Sequence, residues 1–572
     1  MDTARKKNKP CLVPSGQGFS ILYQQKYLYS RYNPQRTVVR TVSELKLLPG
    51  TLILCFSPCL WYGLPELLAK LPPGTFILGC EQDKALYELA KEKLQTVVQK
   101  QYAEKRNEAE AILKKISLVP QEDLCRLPAL IQRQKPVLSN GFELPAPGIF
   151  RRVLRLDFSS GTQFAPTFYT ELAGTCEGSI AQFWKNRITL VRFGRQYSRN
   201  VFRNLSRLPY SRTVTSFRSE KPLLVLGAGP SLDGLLAAPE FITCRESVII
   251  LATDAALPAL LQRKILPDAV IGLESQTIIS RAYIGAAKIK KTILLDMTAF
   301  PPTADFTGGP AVFFASLYDD TRFLGRLNAA GILPATIPPL GSVGLAAVYI
   351  ALRMRSSAGV PVFIAGMDFS YRPGTTHARG TPAHTEQLLS CGRLAPAENF
   401  TAAFGPGTKK MTGKKNEKLI TTAVLAGYAQ NFTDIFSTAQ NIFDAGKEGL
   451  ELGIPQTDIK TVFAQRPPVI TAAAESMGKK VDRTAIANFY TAEKQALIRI
   501  KEILTTGQNI PETERNSELQ LLLSEREYLY LHFPDGYKLS LDKSFLKRIR
   551  AEIDFFLKDI TIGEQLLMAA SC

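Results

Sequence analysis

The central stretch KPLLVLGAGPSLDG, residues 221–234, joins a run of strand-forming residues to a glycine turn that could hold a phosphate. Gly227 and Gly229 allow a ligand to approach the backbone closely, and the start of the helix after the turn favours negative charge. Pro230 and Ser231 complete the turn, and the Ser231 hydroxyl can cap that helix or reach a phosphate. The turn therefore predicts an anion site, with a plain helix cap as the alternative.

Acidic side chains follow other apolar runs of the same region. VIILATD ends in Asp254, AVIGLE ends in Glu274, and VPVFIAGMD ends in Asp368. Ligands of open α/β sheets bind outside the carboxyl ends of the strands. We therefore expect these acids to converge with Ser231 on one cleft, with turn or cap chemistry as the alternative.

A second dense stretch, FIAGMDFSYRPGTTHARGT, spans residues 363–381. A buried strand is followed by a loop that carries Tyr371, Thr376 and His377. A histidine with a pKa near neutrality can take a proton from an acceptor hydroxyl group. His377 is therefore a candidate general base, and a loop histidine with structural hydrogen bonds is the alternative.

These residues can converge only if a parallel sheet positions them, and the pattern of apolar runs predicts such a sheet. Strands alternating with helices predict an α/β fold with a doubly wound, mostly parallel central domain over residues 216–480. Residues 1–150 predict a Rossmann-like domain and residues 151–215 a basic, partly helical connection. Apolar residues at helical spacing predict a helical C-terminal domain over residues 481–572.

The N-terminal domain has less evidence of a ligand site. TLILCF and TFILGC predict two strands of a βαβ unit, and Glu81 follows the second strand, where a ribose-binding acid would stand. The first turn lacks the glycine pattern of a dinucleotide site. Structural use of Glu81 is the favoured interpretation.

Composition limits the class of protein. Lys and Arg exceed Asp and Glu by 70 − 51 = 19 in 572 residues, which suits an anionic partner. The basic residues are spread along the chain, which disfavours a nucleic-acid interface. The nine cysteines lack metal-ligand spacing, and neither a signal peptide nor a membrane-spanning run is expected. These features predict a cytoplasmic protein with no metal site and no tightly bound cofactor.

The ordered series of motifs resembles the motility accessory factor (Maf) proteins. Their central domain, called MptE-like or 6-hydroxymethylpterin pyrophosphokinase-like, is similar to GAGPSL, TDAALPALLQRKILPDAVIGLES, GSVG and FIAGMDFSYRPGTTHARG. Their flanking segments are similar to YLYSRYNP, LILCFSPCLWYGLPELL, LITTAVLAGYAQNFTDIF and NIFDAGKEGLELGIP. About 420 residues fall within the resemblance, counted between the outermost of these motifs.

The resemblance implies a function. Maf proteins are associated with the transfer of nonulosonic, sialic-acid-like sugars to flagellin, and their central domain is similar to sialyltransferases that use CMP-activated donors. It implies that Gly227, Gly229, Pro230 and Ser231 bind the donor's nucleotide and phosphate. The residues it implies in the same cleft are Asp254, Glu274, Ser275, Gly341 and Ser342. Those implied near the donor phosphate and the reacting carbon are Asp368, Tyr371, Thr376 and His377.

The reaction implied is an inverting transfer to a Ser or Thr hydroxyl of flagellin without a metal, since no Asp-x-Asp motif follows a strand. The chain departs from the family at CFSPCLWYG, at Glu274 and at NIFDAG. One alternative is a pterin pyrophosphokinase that uses ATP and Mg²⁺, with Asp254 and Asp368 as candidate ligands. Another is a non-catalytic protein that binds flagellin.

Overall fold

The structure is a computed structural model of the 572-residue chain. It describes residues 9–101, 106–133, 136–213, 217–243, 245–317, 321–397, 400–464, 481–506 and 511–569. Contacts divide the chain into two units, Met1–Leu190 and Val191–Cys572. The boundaries predicted near residues 150, 215 and 480 stay predictions.

The strands of the first unit are β1 (Cys11–Ser15), β2 (Gly18–Tyr23), β3 (Lys26–Tyr27), β4 (Thr51–Phe56), β5 (Phe76–Cys80), β6 (Ile116–Leu118) and β7 (Arg152–Asp157). The first three form an antiparallel sheet, and the other four form a parallel sheet in the order β6-β5-β4-β7. The helices of this unit are α1 (Arg36–Glu44), α2 (Leu64–Leu68), α3 (Lys84–Gln101), α4 (Arg106–Leu113), α5 (Gln121–Leu124) and α6 (Leu127–Leu130). The chain passes to the second unit within one helix, α7 (Pro166–Leu205).

The second unit is organised by a nine-stranded sheet in the order β14-β13-β12-β11-β10-β9-β15-β18, with β8 beside β13. All of its strand pairs are parallel. Its strands are β8 (Arg212–Thr213), β9 (Leu223–Leu226), β10 (Ile249–Thr253), β11 (Ala269–Gly272), β12 (Lys291–Asp296), β13 (Gly308–Ser316), β14 (Thr336–Ile337), β15 (Val362–Ala365) and β18 (Ile442–Asp444). A separate antiparallel hairpin joins β16 (Thr408–Thr412) to β17 (Lys418–Thr422).

Helices cover both faces of this sheet. The helices of this part of the chain are α8 (Leu232–Leu236), α9 (Pro239–Thr243), α10 (Leu257–Gln262), α11 (Arg322–Ala329), α12 (Val343–Met354), α13 (Pro382–Leu389), α14 (Phe400–Phe404), α15 (Ala423–Phe436) and α16 (Ile459–Ala464). One face packs against α12 and α15, and the other against α8 and α10. Because both faces are covered, the strands are continuous apolar runs, as in the fully buried LLVL of β9.

The last helices are α17 (Arg483–Thr506), α18 (Glu512–Ser524) and α19 (Lys543–Ala569). The α/β fold with Rossmann-like, central parallel and C-terminal helical parts is therefore confirmed. In the described residues, no helix has the length and apolar character needed to cross a membrane.

The order of strands reverses beside β9. From β9 the chain adds β10 to β14 successively towards one edge, then returns through α12 to place β15 on the other side of β9. In open α/β sheets the crevice at such a reversal, outside the carboxyl ends of the strands, is where ligands bind. The residues that follow β9 and β15 meet at this point.

Candidate functional site

The glycines of the central turn allow the chain segments after β9 and β15 to touch. The Gly227 amide donates to the carbonyl of Ala365, and the Gly229 amide donates to that of Gly366, both at 2.8 Å. A Cβ on Gly229 would lie 2.6 Å from Asp368 Oδ2, so only glycine fits here. The immediate reason for the glycines is this close approach of two turns.

Ser231 and Asp368 form the centre of the contact. The Ser231 amide donates to Asp368 Oδ2 at 2.7 Å, and the Ser231 hydroxyl donates to Oδ1 at 2.5 Å. The Asp368 carboxylate therefore occupies the position at the start of α8 that the sequence predicted for a phosphate. Burial raises the pKa of Asp368 to about 6, against the bonds from Ser231 and the nearby charge of Lys414.

A pocket of about 590 Å³ opens beside this pair. That volume suits a small organic ligand. Four predicted site residues besides Ser231 line it, namely Pro230, Asp368, Tyr371 and His377. Its other polar walls are Asp233, Ser370, Arg372, Thr375, Arg379, His384, Lys415, Lys447 and Glu448. The wall has four Lys or Arg side chains and three Asp or Glu side chains, and this small basic excess suits an anionic ligand.

His377 is placed to accept a proton. It is exposed, and its Nδ1 lies 3.3 Å from the Thr376 hydroxyl. The surrounding protein removes part of the water from the ring, and this desolvation lowers the pKa of His377 below its ordinary value of 6.5, which favours the neutral ring. Thr376 can hold Nδ1 in one tautomer, which leaves Nε2 for a substrate.

Tyr371 has a structural bond in addition to its place in the wall. Its hydroxyl donates to the carbonyl of Ala402 at 2.6 Å, and its amide donates to the carbonyl of Ile420. These bonds hold the loop after β15 against α14 and against the β16–β17 hairpin. The phenol proton is already donated, so Tyr371 can offer a ligand only its oxygen lone pair or its ring.

The remaining predicted residues lie along the same edge of the sheet but do not line this pocket. Asp254 follows β10, Glu274 and Ser275 follow β11, and Gly341 and Ser342 precede α12. Ser342 is the N-cap of α12, but its hydroxyl accepts no hydrogen bond from the amide groups in the first turn of this twelve-residue helix. Their predicted role in binding a nucleotide stays a prediction.

Asp254 is the most perturbed acid of this group. It is 5% exposed, and the one hydrogen bond to its side chain from the described residues comes from the Ala255 amide at 2.7 Å. Burial, with a smaller contribution from the charge of Glu274, raises the pKa of Asp254 to about 7. The nearby Tyr283 hydroxyl is buried and has no hydrogen-bond partner among the residues that the structure describes. A buried acid that lacks compensation at a strand end is typical of a functional site.

The loop after β11 is held from outside the sheet. The carbonyl of Ser275 accepts from the side-chain amides of Gln196 at 2.5 Å and Asn200 at 3.0 Å, both on α7. The Glu274 carboxylate accepts from the Gln276 amide at 2.9 Å. The Ser275 carbonyl is thus bonded within the protein, and the predicted place of Ser275 in the donor cleft stays a prediction.

Lys414 and Asp444 are buried beside the pocket and were not predicted. The Lys414 ammonium lies 2.5 Å from Asp444 Oδ2. One feature of the sequence pointed to Lys414, namely the dense basic run KKMTGKK at residues 409–415. No local pattern could have separated the buried Lys414 from the exposed lysines around it. Three His, Cys, Asp or Glu side chains do not converge on a common metal position anywhere in the described ranges.

In the first unit, Glu81 is buried and hydrogen-bonded to other side chains of the protein. It is 1% exposed and accepts hydrogen bonds from the hydroxyls of Ser57 at 2.7 Å and Tyr169 at 2.8 Å. Ser159 completes the cluster through its bond to the Ser57 hydroxyl at 3.0 Å. The Glu81 carboxylate is therefore bound by side chains of the protein itself, which agrees with a structural use of this residue.

Three comparisons bear on identity. Residues 195–374 match the family model described as 6-hydroxymethylpterin diphosphokinase MptE-like. An uncharacterised protein of Treponema pallidum (strain Nichols) is 33% identical over 579 residues, covering 96% of this chain and 94% of that protein. The structure of a Maf glycosyltransferase from Magnetospirillum magneticum AMB-1 superposes with a TM-score of 0.53 over 98% of this chain and 92% of that one, at 12% identity. The predicted resemblance to Maf proteins is confirmed for the fold, and the predicted MptE-like domain is confirmed over residues 195–374.

Proposed function

Since this chain belongs to one family with the Treponema pallidum protein, and has the MptE-like domain and the fold of a Maf glycosyltransferase, we propose that it is a glycosyltransferase. The donor is a CMP-activated nonulosonic sugar, and the acceptor is a Ser or Thr hydroxyl of flagellin. The reaction takes place in the cytoplasm and serves flagellar assembly and motility.

The observation that supports this proposal most is the pocket at the reversal of strand order. It lies where open α/β sheets bind ligands, and His377, Ser231 and several basic groups share its wall. The basic groups suit a donor that carries a phosphate and a carboxylate. The exposed position of His377 suits an acceptor that is itself a protein.

The proposed donor site has two parts. Asp254, Glu274 and the start of α12 at Gly341 and Ser342 bind the nucleotide. The pocket beside Ser231 takes the sugar and the bond to be broken. A carboxylic acid with a pKa of about 7 can donate or accept a hydrogen bond, and Asp254 can therefore recognise a polar edge of a base or a ribose.

In the proposed reaction the acceptor oxygen attacks the anomeric carbon as the bond to the CMP phosphate breaks. Neutral His377 takes the proton of the hydroxyl. Arg372, Arg379 and Lys447 lie around the pocket and stabilise the negative charge that develops on the departing phosphate. Attack opposite the leaving group inverts the anomeric centre.

The MptE-like match favours a second candidate, a pterin diphosphokinase, over residues 195–374. That enzyme would bind ATP with Mg²⁺ rather than CMP, with Asp254 and Asp368 as candidate metal ligands. A protein that binds flagellin without catalysis would bind neither nucleotide. The choice of nucleotide therefore distinguishes the three functions.

Thermal unfolding with CMP, CDP, ATP plus Mg²⁺, and no ligand tests the proposal. At 100 times its Kd, CMP is expected to stabilise the native protein by about 2.7 kcal/mol, which is about 3 °C for a unit of this size. Ser231→Ala and Asp254→Ala should abolish the shift, and the surface substitution Asp305→Ala should retain it. A shift with ATP and Mg²⁺ alone would favour the diphosphokinase, and no shift would leave the non-catalytic protein.

His377→Ala is expected to lower kcat about 100-fold to 1000-fold with little change in KM, because general base catalysis contributes on this scale. Because the pKa of His377 lies below the ordinary histidine value of 6.5, the wild-type rate should be level from pH 7 upward and should fall only on the acid side of 6.5, where the ring gains a proton. The matched variant is His384→Ala, at the same pocket, whose Nδ1 accepts from the Gly380 amide. Its loss should be at least tenfold smaller. Equal losses would remove His377 from this role.

A further inference from the structure

Beside the pocket, Lys414 has a buried ammonium group with no capacity left for a ligand. The residue is 3% exposed. Its three ammonium protons have three partners, namely Asp444 Oδ2 at 2.5 Å and the carbonyls of Gly446 and Glu448, both at 3.0 Å. An ammonium group has three donors, so Lys414 is fully occupied by the protein.

All of these partners belong to or border one segment, residues 445–449, which we call the covering loop. Ala445, Lys447, Glu448 and Gly449 line the pocket. Asp444 Oδ1 accepts from the Gly446 amide at 2.9 Å, so the same carboxylate holds the start of the loop.

The covering loop touches the pair at the centre of the site. The Leu450 amide donates to the Asp368 carbonyl at 2.9 Å. Gly449 has a φ of +101°, and a Cβ there would lie 2.6 Å from the Asp368 Cα. A Cβ on Gly446 would lie 3.5 Å from both the Ser231 hydroxyl oxygen and the Lys414 ammonium nitrogen. Any movement of the loop therefore reaches Ser231 and Asp368.

Holding a loop with the buried Lys414–Asp444 ion pair has a high cost in free energy. Buried ion pairs rarely stabilise a fold more than apolar residues of similar size would, because both charges lose their hydration. Here the pair lies next to Asp368, whose ionised form accepts both bonds from Ser231. The positive charge of Lys414 favours that ionised form and the negative charge of Asp444 opposes it.

We propose that Lys414 is a positioning residue, paired with Asp444, that holds the covering loop over Asp368 and keeps the Ser231–Asp368 contact in its binding geometry. Lys414 itself touches no substrate. The inference rests on the proposed function only for its effect on ligand binding, since the state of the loop can be measured without any ligand.

The first test is amide hydrogen exchange of the full-length protein without ligand. In Lys414→Met, exchange over residues 445–450 is expected to rise at least about tenfold, while α12 keeps its protection. Lys415→Met removes a neighbouring charge that makes none of the bonds to the loop, and its exchange should match the wild type. If exchange over residues 445–450 is unchanged in a folded Lys414→Met, the proposal is wrong.

The double variant Lys414→Met/Asp444→Asn tests the same proposal in case the single variant Lys414→Met does not fold. It leaves no unpaired buried charge, and the new amide oxygen can still accept from Gly446. The same rise in exchange is expected. A covering loop as protected as in the wild type would overturn the proposal even if the single variant did not fold.

The second test is the pH dependence of CMP affinity, measured by titration calorimetry. The titration of CMP itself is common to all variants, so differences between them report the protein. Lys414→Met should weaken the affinity for CMP about tenfold. It should also shift the acid side of the affinity profile to higher pH, because Asp368 then ionises at higher pH. Lys414→Arg, which keeps the charge and the donors, should restore the acid side of the profile. If the acid side of the CMP affinity profile lies at the same pH in Lys414→Met as in the wild type, the positioning role is refuted. A wild-type protein that does not bind CMP would refute the proposed function, and the exchange test would still decide on the positioning role.

Discussion

The Asp254→Asn variant is expected to be more stable than the wild-type protein, by about 4 kcal/mol at pH 8 and by less than half of that at pH 5. Burial raises the pKa of Asp254 from 3.8 to about 7. Between these values the folded protein holds a proton that the unfolded chain has released. Stability is therefore lost as pH rises through this window, and an asparagine removes the loss. Urea unfolding at the two pH values measures it.

A buried acid nearby provides the control. Asp296 is also buried, but Oδ1 accepts from the amide and the hydroxyl of Thr298, and Oδ2 accepts from the Ser316 amide. Asp296→Asn turns one acceptor into a donor, and is expected to destabilise by about 1–3 kcal/mol. If Asp254→Asn also destabilises the protein at pH 8, the burial of Asp254 does not lower the stability of the wild type. If it stabilises and loses CMP binding, its energetic cost is explained by function.

Glu493→Ala is expected to destabilise the second unit by about 3–5 kcal/mol, because it leaves buried cations without their counter-charge. Glu493 lies on α17 and is 0% exposed. Its carboxylate binds Arg326 of α11 through two nitrogens at 2.5 and 2.9 Å, and accepts from the Tyr528 hydroxyl at 2.5 Å. Arg526 lies 3.3 Å away. These contacts join the C-terminal helices to the central part of the same unit.

The midpoint of urea unfolding, with an unchanged slope, would measure this loss. The matched control is Glu518→Ala, since Glu518 pairs with Arg499 at 2.8 Å on the surface of the same helical region. Its effect should stay within about 0.5 kcal/mol. A loss below about 1 kcal/mol for Glu493→Ala would show that the network contributes little to stability.

The sequence predicted those parts of the fold that depend on local pattern. Thr51–Phe56 and the fully buried LLVL of β9 are apolar runs of strand length, and the small-residue run from Val343 forms a helix. The same reasoning placed polar residues at the ends of β9, β10, β11 and β15. Local pattern carries no information on which strand lies beside which, so the reversal at β9 had to come from the structure.

The candidate site was predicted in part for the same reason. Ser231, Tyr371 and His377 were found from their place after apolar runs, and they do share a pocket. The bond that unites Ser231 with Asp368 joins residues 137 positions apart, and it turns the expected phosphate position into an internal contact. The Lys414–Asp444 pair also depends on a loop and a hairpin meeting in space.

The place of β9 in the middle of the sheet has a consequence for synthesis of the chain. One side of β9 pairs with β10, which is made within some 25 residues, but the other side waits for β15 at Val362–Ala365. At about 5–20 residues per second, this flank stays uncovered on the ribosome for roughly ten seconds. During that time a fully apolar strand presents open backbone groups to neighbouring nascent chains. We therefore expect that a holding chaperone present until residue 365 has emerged would raise the yield of folded protein.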